Sequence, residues 1–146
     1  MSIAVSSEVV IDRPRGEVAD YASDPDNATT WYANIKEVEW ETARPLAVGS
    51  RIAFVAHFLR SRLAYVYEVK ELVEGERLVM ATTDGPMAME TTYAWEDAGE
   101  GATRMTLANR GEPARFSRYF APIVAVGVRR ANRKDLARLK AILERR

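Results

Sequence analysis

The sequence predicts an α+β fold: a curved antiparallel sheet of about seven strands, two short helices after the first strand, and a long C-terminal helix. Three observations predict it. Segments with period-two alternation follow one another between residues 36 and 109, separated by Gly- and Pro-bearing turns. A β-branched run, Ile3 to Ile11, precedes them and ends at Asp12-Arg13-Pro14. Beyond Gly111-Glu112-Pro113 the apolar spacing lengthens to that of a helix.

The elements follow in order. Ile3 to Ile11 is read as the first strand. Pro14 to Tyr21 is read as a first short helix, with Asp12 available as a cap, and Ser23-Asp24-Pro25 opens a second short helical segment toward Trp31-Tyr32. In residues 36–42, Val38 and Trp40 alternate with Glu37, Glu39 and Glu41, which suits a strand with one wet and one dry face. After the Pro45 and Gly49 turn, Ile52, Phe54, Ala56 and Phe58 share one face of a third strand, and Ala53, Val55 and His57 take the other.

Leu63, Tyr65, Tyr67 and Val69 repeat the alternation, and Glu74-Gly75-Glu76 turns into Leu78, Met80 and Thr82, giving a hairpin of strands four and five. Met89, Thr91, Tyr93 and Trp95 alternate with Glu90, Thr92, Ala94 and Glu96. Gly99-Glu100-Gly101 then leads into Thr103, Met105, Leu107 and Asn109, a second hairpin. The closing helix, about thirty residues long by its apolar spacing, groups Phe116, Phe120, Val124, Val128, Ala131, Leu139 and Ile142 on one side. Gly127 in its middle costs up to about 1 kcal/mol relative to Ala, which points to a packing or bending role. An antiparallel meander must cover its apolar face, and this helix is the one element long enough to do so. A bent sheet around a helix leaves room for a cavity.

With 146 residues the chain is sized for one domain, 1–146, and no linker or internal repeat divides it. Cys is absent, which excludes disulfides, thiolate metal sites and a Cys nucleophile, and fits a reducing cytoplasm. The N-terminus lacks the basic start and apolar run of a secretory signal. The longest apolar stretch, Tyr119 to Val128, falls short of the roughly 20 residues a bilayer span needs. Residues 129–146 carry a net of +6, balanced by −6 on residues 1–128. That charge is read as a solvated helix face and not as a nucleic-acid surface.

The chain resembles the SRPBCC superfamily, the helix-grip fold shared by START lipid-transfer domains, polyketide cyclases/aromatases and plant pathogenesis-related allergens. The resemblance spans nearly the whole length. It is carried by Ile11-Asp12-Arg13-Pro14 with Glu17-Val18, by Asp24-Pro25 and Trp31, by Val48-Gly49, by Tyr67-Glu68-Val69, and by Arg110-Gly111-Glu112-Pro113. The run from Asn132 to Lys140 is similar to the helix end of bacterial polyketide cyclase/dehydrase-like members. These residues mark turns, strand ends and helix packing, so what they imply is a fold and a hydrophobic cavity open at one end. Family members use that cavity for lipid carriage, hormone binding, aromatic-ring cyclisation or hydrolytic assistance, and fold alone does not choose among these.

By alternation and helical phase, the residues facing the helix or cavity are Trp40, Phe54, Phe58, Tyr65, Tyr67, Met80, Met89, Tyr93, Trp95, Met105, Asn109, Phe116, Phe120 and Val124. About half are expected to touch a ligand and the rest to fill the narrow end. The tyrosines and Trp95 bring polar tips that need partners when buried. Asn109 sits in an apolar register, where an unsatisfied amide costs about 1–3 kcal/mol. A backbone bond near Gly111 would satisfy it, and so would a ligand.

His57 points away from the proposed pocket, and as the single histidine it leaves no Ser–His or Cys–His pair. The expected site therefore has no metal, and no cofactor is called for: carboxylates are scattered on wet faces and no glycine-rich phosphate loop is present. Asp135 is the best-phased carboxyl for acid–base chemistry, with a cap or salt bridge as its plainer role.

The first functional reading is a binding protein for a small hydrophobic molecule of lipid, isoprenoid or aromatic/polyketide type. Burying roughly 250 Å² of apolar ligand surface gives about 6 kcal/mol before association costs. The second is a cyclase/aromatase-type enzyme in which Tyr65, Tyr67, Tyr93 and Asn109 orient a poly-carbonyl chain. The third is a protein-interaction module, against which the alternating Glu residues on strands two and six argue. A homodimer is an arrangement the sequence leaves open.

Overall fold

The structure, a computed structural model, describes residues 3–58, 60–85, 88–112 and 121–146, with Phe58, Glu112, Ala121 and Pro122 described by their backbone. Strand β1 spans Ile3–Ile11, helix α1 Arg15–Ser23, a 3-10 turn Pro25–Asn27 and helix α2 Ala28–Trp31. Strands β2 (Ile35–Trp40), β3 (Arg51–Phe58), β4 (Ser61–Val73), β5 (Arg77–Asp84), β6 (Ala88–Asp97) and β7 (Thr103–Glu112) follow, then helix α3 (Ala121–Glu144). This is the predicted α+β helix-grip architecture: seven antiparallel strands in the order β1-β7-β6-β5-β4-β3-β2, with the long helix last.

The meander from β2 to β7 follows chain order, as hairpin connections dictate, but β1 returns to pair with β7, Ile3 opposite Gly111 and Ile11 opposite Thr103. Register shifts within β2, between Ile35 and Glu37, and within β4, at Val66/Tyr67 and Val69/Glu71, are the β-bulges through which such a sheet bends. Alternation sets the faces. Ile52, Phe54 and Ala56 are buried on β3 while His57 is exposed, and Tyr67 and Val69, Leu78 and Met80, and Thr91, Tyr93 and Trp95 are buried on the strands beyond.

Helix α1 buries Val18, Ala19 and Ala22, and Trp31 of α2 is fully buried. The cap expected at Asp12 is not used: Pro14 takes the N-cap position with no side-chain bond, and the Asp12 N–H instead donates to Glu144 Oε2 at 2.8 Å. Asp24, just past the end of α1, caps the 3-10 turn that follows, accepting from the Asp26 N–H at 2.9 Å.

The buried stripe of α3 is Val124, Asn132, Asp135, Leu136, Leu139 and Leu143. It is rotated from the predicted one toward Leu136 and Leu143, with Ile142 half-buried at its margin. The helix continues through Gly127. Its C-terminal end is fastened to β1, where Lys140 Nζ donates to the Val10 carbonyl at 2.7 Å and ion-pairs with Glu144 at 2.6 Å. Among the described residues, no helix is long and apolar enough to cross a membrane.

Candidate functional site

Between the inner face of the sheet and α3 lies a cavity of about 140 Å³. Its floor comes from alternate residues of successive strands: Phe54 and Ala56 of β3, Leu63, Tyr65 and Tyr67 of β4, Met80 of β5, Met89, Thr91 and Tyr93 of β6, and Asn109 of β7. Helix α3 supplies Val128, Ala131, Asn132 and Asp135 as the roof, and Ala22, Pro25, Ala28, Tyr32 and Ile35 close one end. The chamber stays open because the roof residues above it are small or polar, whereas Leu136, Leu139 and Leu143 fill the space toward the helix C-terminus.

Four tyrosines dominate the wall. Phe54 stacks on Tyr65 with ring centroids 5.7 Å apart, directly across the β3–β4 ladder, and Tyr65 meets Tyr67 edge-on at 5.3 Å. Tyr67 reaches over β5 to Thr91, hydroxyl to hydroxyl at 2.6 Å, and Thr91 Oγ1 donates to Asn109 Oδ1 at 2.8 Å. Thr91 and Asn109 are cross-strand partners, so the second bond is set by register. Since the one Thr91 proton goes to an amide oxygen that can only accept, the Tyr67 hydroxyl is the donor in the first bond.

A second hydroxyl pair, Tyr32 with Tyr93, closes at 2.6 Å beneath Trp31, whose ring centroid lies 5.7 Å from that of Tyr93. Burial raises the Tyr32, Tyr65 and Tyr93 hydroxyls well above the ordinary phenol range, and lifts Tyr67 to about 12 despite the opposing bond to Thr91. All four stay protonated near neutral pH. Desolvation also raises Asp135, against the Ala33 N–H, which donates to its Oδ1 at 3.0 Å, and the nearby Arg138.

Of the residues expected at the site, Phe54, Tyr65, Tyr67, Met80, Met89, Tyr93 and Asn109 line the cavity. Met105 is buried in the packed core outside it, and Val124 is buried but does not line it. Trp40 and Trp95 share the inward alternation but line a separate depression with Arg44, Leu46 and Leu72. There Trp40 Nε1 donates to Asp26 Oδ1 at 3.0 Å and the Arg44 guanidinium sits 4.8 Å over the Trp40 ring. Alternation fixes the face of a strand but not the position along it. The Phe58 side chain, Phe116 and Phe120 lie outside the described residues.

Asn109 takes neither the backbone bond near Gly111 nor isolation: its oxygen is held by Thr91. The expectation missed Tyr32, Thr91 and Asn132. Thr91 falls in register between Met89 and Tyr93, and Asn132 interrupts the apolar stripe of α3. Both are visible in the sequence as polar residues in buried phase, the same signal that singles out Asn109. No group of three or more His, Asp or Glu that could hold a metal ion occurs among the described residues.

Solved structures share this architecture at low identity. An aromatase/cyclase from a Streptomyces species superposes with a TM-score of 0.84 at 12% identity, over 100% of this chain and 96% of that one. A START superfamily protein from Mycobacterium smegmatis does so with 0.84 at 14%, over 98% of each chain. A protein from Thermus thermophilus gives 0.82 at 19%, over 94% of each. No curated protein sequence matches the chain. Residues 2–144 match the profile described as polyketide cyclase / dehydrase and lipid transport, and the chain belongs to that family.

Proposed function

We propose that the chain, residues 1–146, is a ligand-binding unit that holds a small, mainly apolar molecule between the sheet and α3. The observation that carries this reading is the aromatic-walled cavity of about 140 Å³. It is close in size to an engineered apolar cavity of about 150 Å³ that stays dry and binds benzene. A single ring or a short alkyl segment fills it, and a longer lipid or isoprenoid would extend past the half-buried Leu63, Asn34 and Val128. Burying roughly 200 Å² of such a ligand gives about 5 kcal/mol before association costs. The cysteine-free composition suits a cytoplasmic setting.

A thermal-shift comparison tests this. Ethylbenzene should raise the melting temperature of the wild type, and Ala131→Leu, which plugs the roof, should fold but lose that response. A response that persists in the plugged variant would move the ligand elsewhere.

A second reading, an aromatase/cyclase-type enzyme shaping a poly-carbonyl substrate, draws on the desolvated Asp135 carboxyl, which lines the same cavity as Tyr93. Turnover of a poly-β-ketone thioester that survives in Asp135→Asn would remove that support.

A further inference from the structure

We propose that the cavity selects a neutral head group bearing an oxygen acceptor, a ketone or an alcohol on a ring-sized apolar body, and rejects carboxylates. This rests on the ligand-binding reading above. Asn132 lines the cavity from α3, is 5% exposed, and its Nδ2 has no hydrogen-bond partner among the described residues. A buried amide donor left unpaired is costly, and turning the amide about its last torsion would bring that donor round to the cavity Asn132 lines. A ligand oxygen placed against Nδ2 removes that cost.

Asp135 stands three residues on, on the same side of the helix, and is 3% exposed. One of its oxygens takes the Ala33 N–H, and the other has no hydrogen-bond partner among the described residues. An alcohol can therefore accept from Asn132 and donate to Asp135, and a ketone can accept from Asn132 beside a carboxyl whose desolvation favours its neutral form. A ligand carboxylate in the same place would set two carboxyl groups side by side in a desolvated site, where they cannot both ionise. An ammonium would pair with Asp135 but leave the Asn132 donor unanswered. Among the described lining residues there is no Lys, Arg or His to receive an anion. On the sheet side, Asn109 spends its oxygen on Thr91 and keeps its own amide nitrogen for a second ligand oxygen.

Calorimetric titration with one matched set, ethylbenzene, acetophenone, 1-phenylethanol, benzoate and benzylamine, tests the proposal on the wild type, Asn132→Leu and Asp135→Asn, each checked for folding by circular dichroism. The ketone and the alcohol should bind about tenfold tighter than ethylbenzene and benzoate in the wild type. In Asn132→Leu the ketone and alcohol should lose their advantage over ethylbenzene, whatever the absolute affinity of the set, and Asp135→Asn should recover benzoate binding by about tenfold. Benzoate equal to acetophenone, benzylamine binding tightest, or a preference that survives Asn132→Leu would each overturn it. Ethylbenzene binding with no head-group preference sinks this inference and leaves the ligand-binding reading standing. If none of the five binds, both fall.

Discussion

Replacing Thr91 by Val keeps the shape of a side chain that is 4% exposed and deletes the hydroxyl standing between Tyr67 and Asn109. Two groups then lose a partner at once. The Tyr67 hydroxyl, on a residue 5% exposed, becomes a buried donor without an acceptor, at about 1–3 kcal/mol. Asn109 is half-buried at the cavity wall, where water can replace the lost bond at smaller cost. The added methyl returns about 0.8 kcal/mol. The net loss is about 2 kcal/mol, or roughly 4–8 °C in melting temperature for a chain of this length.

Tyr67→Phe should cost less, about 1 kcal/mol, because it leaves the Thr91 to Asn109 bond intact. In the double variant Tyr67→Phe/Thr91→Val the orphaned tyrosine hydroxyl is gone, so the double should be no less stable than Thr91→Val alone. Urea denaturation of all four proteins measures this as a coupling of about 1 kcal/mol. Additivity within about 0.4 kcal/mol would refute the claim that the three side chains act as one chain of bonds.

Two further outcomes follow from other contacts. Gly85 has φ +146° and a Cβ built there would lie 2.8 Å from Tyr65 Cβ, so Gly85→Ala should destabilise by about 1–3 kcal/mol. It should also shift the Tyr65 ring resonances in an NMR spectrum, and an unperturbed Tyr65 would contradict the contact. Asp135 has a raised folded-state pKa caused by desolvation, so the unfolded chain, with its carboxyl at about 3.9, gives up this proton first as pH rises. The wild type therefore loses stability from about pH 4 upward until the folded group ionises. Asp135→Asn keeps an acceptor for the Ala33 N–H and escapes that loss. Its stability relative to wild type should climb over that window and then level off, and a pH-independent difference would show the carboxyl to be unperturbed.

How far the sequence carried the fold depends on the range of the cause. Period-two alternation depends on which side chains share a pleat, so Phe54, Tyr65, Tyr67, Met80, Met89 and Tyr93 could be placed on the inner face from local pattern. Whether such a residue meets open space or packed core depends on what stands above it. That decision is made by α3 and the α1–α2 segment, which is why Trp40, Trp95 and Met105 shared the alternation but not the cavity.

The phase of α3 was displaced because its apolar residues outnumber the positions on one stripe. Ile123 and Val126 are 62% and 60% exposed, while Asn132 and Asp135 are buried. Buried polar residues carry the cavity's chemistry, and a pattern search that counts only apolar positions passes over them. Tyr32 follows α2, where no periodicity marks a facing direction.

The pairing of β1 with β7 ties Ile3 to Gly111 across most of the polypeptide. During synthesis the first strand has to wait, edge bare, until the seventh has left the ribosome, so sheet closure is a late and non-local event. Topologies of this kind fold slowly, on the order of milliseconds to seconds. A quality-control chaperone would have its longest opportunity to act on the N-terminal strand, not on the hairpins that assemble between neighbours.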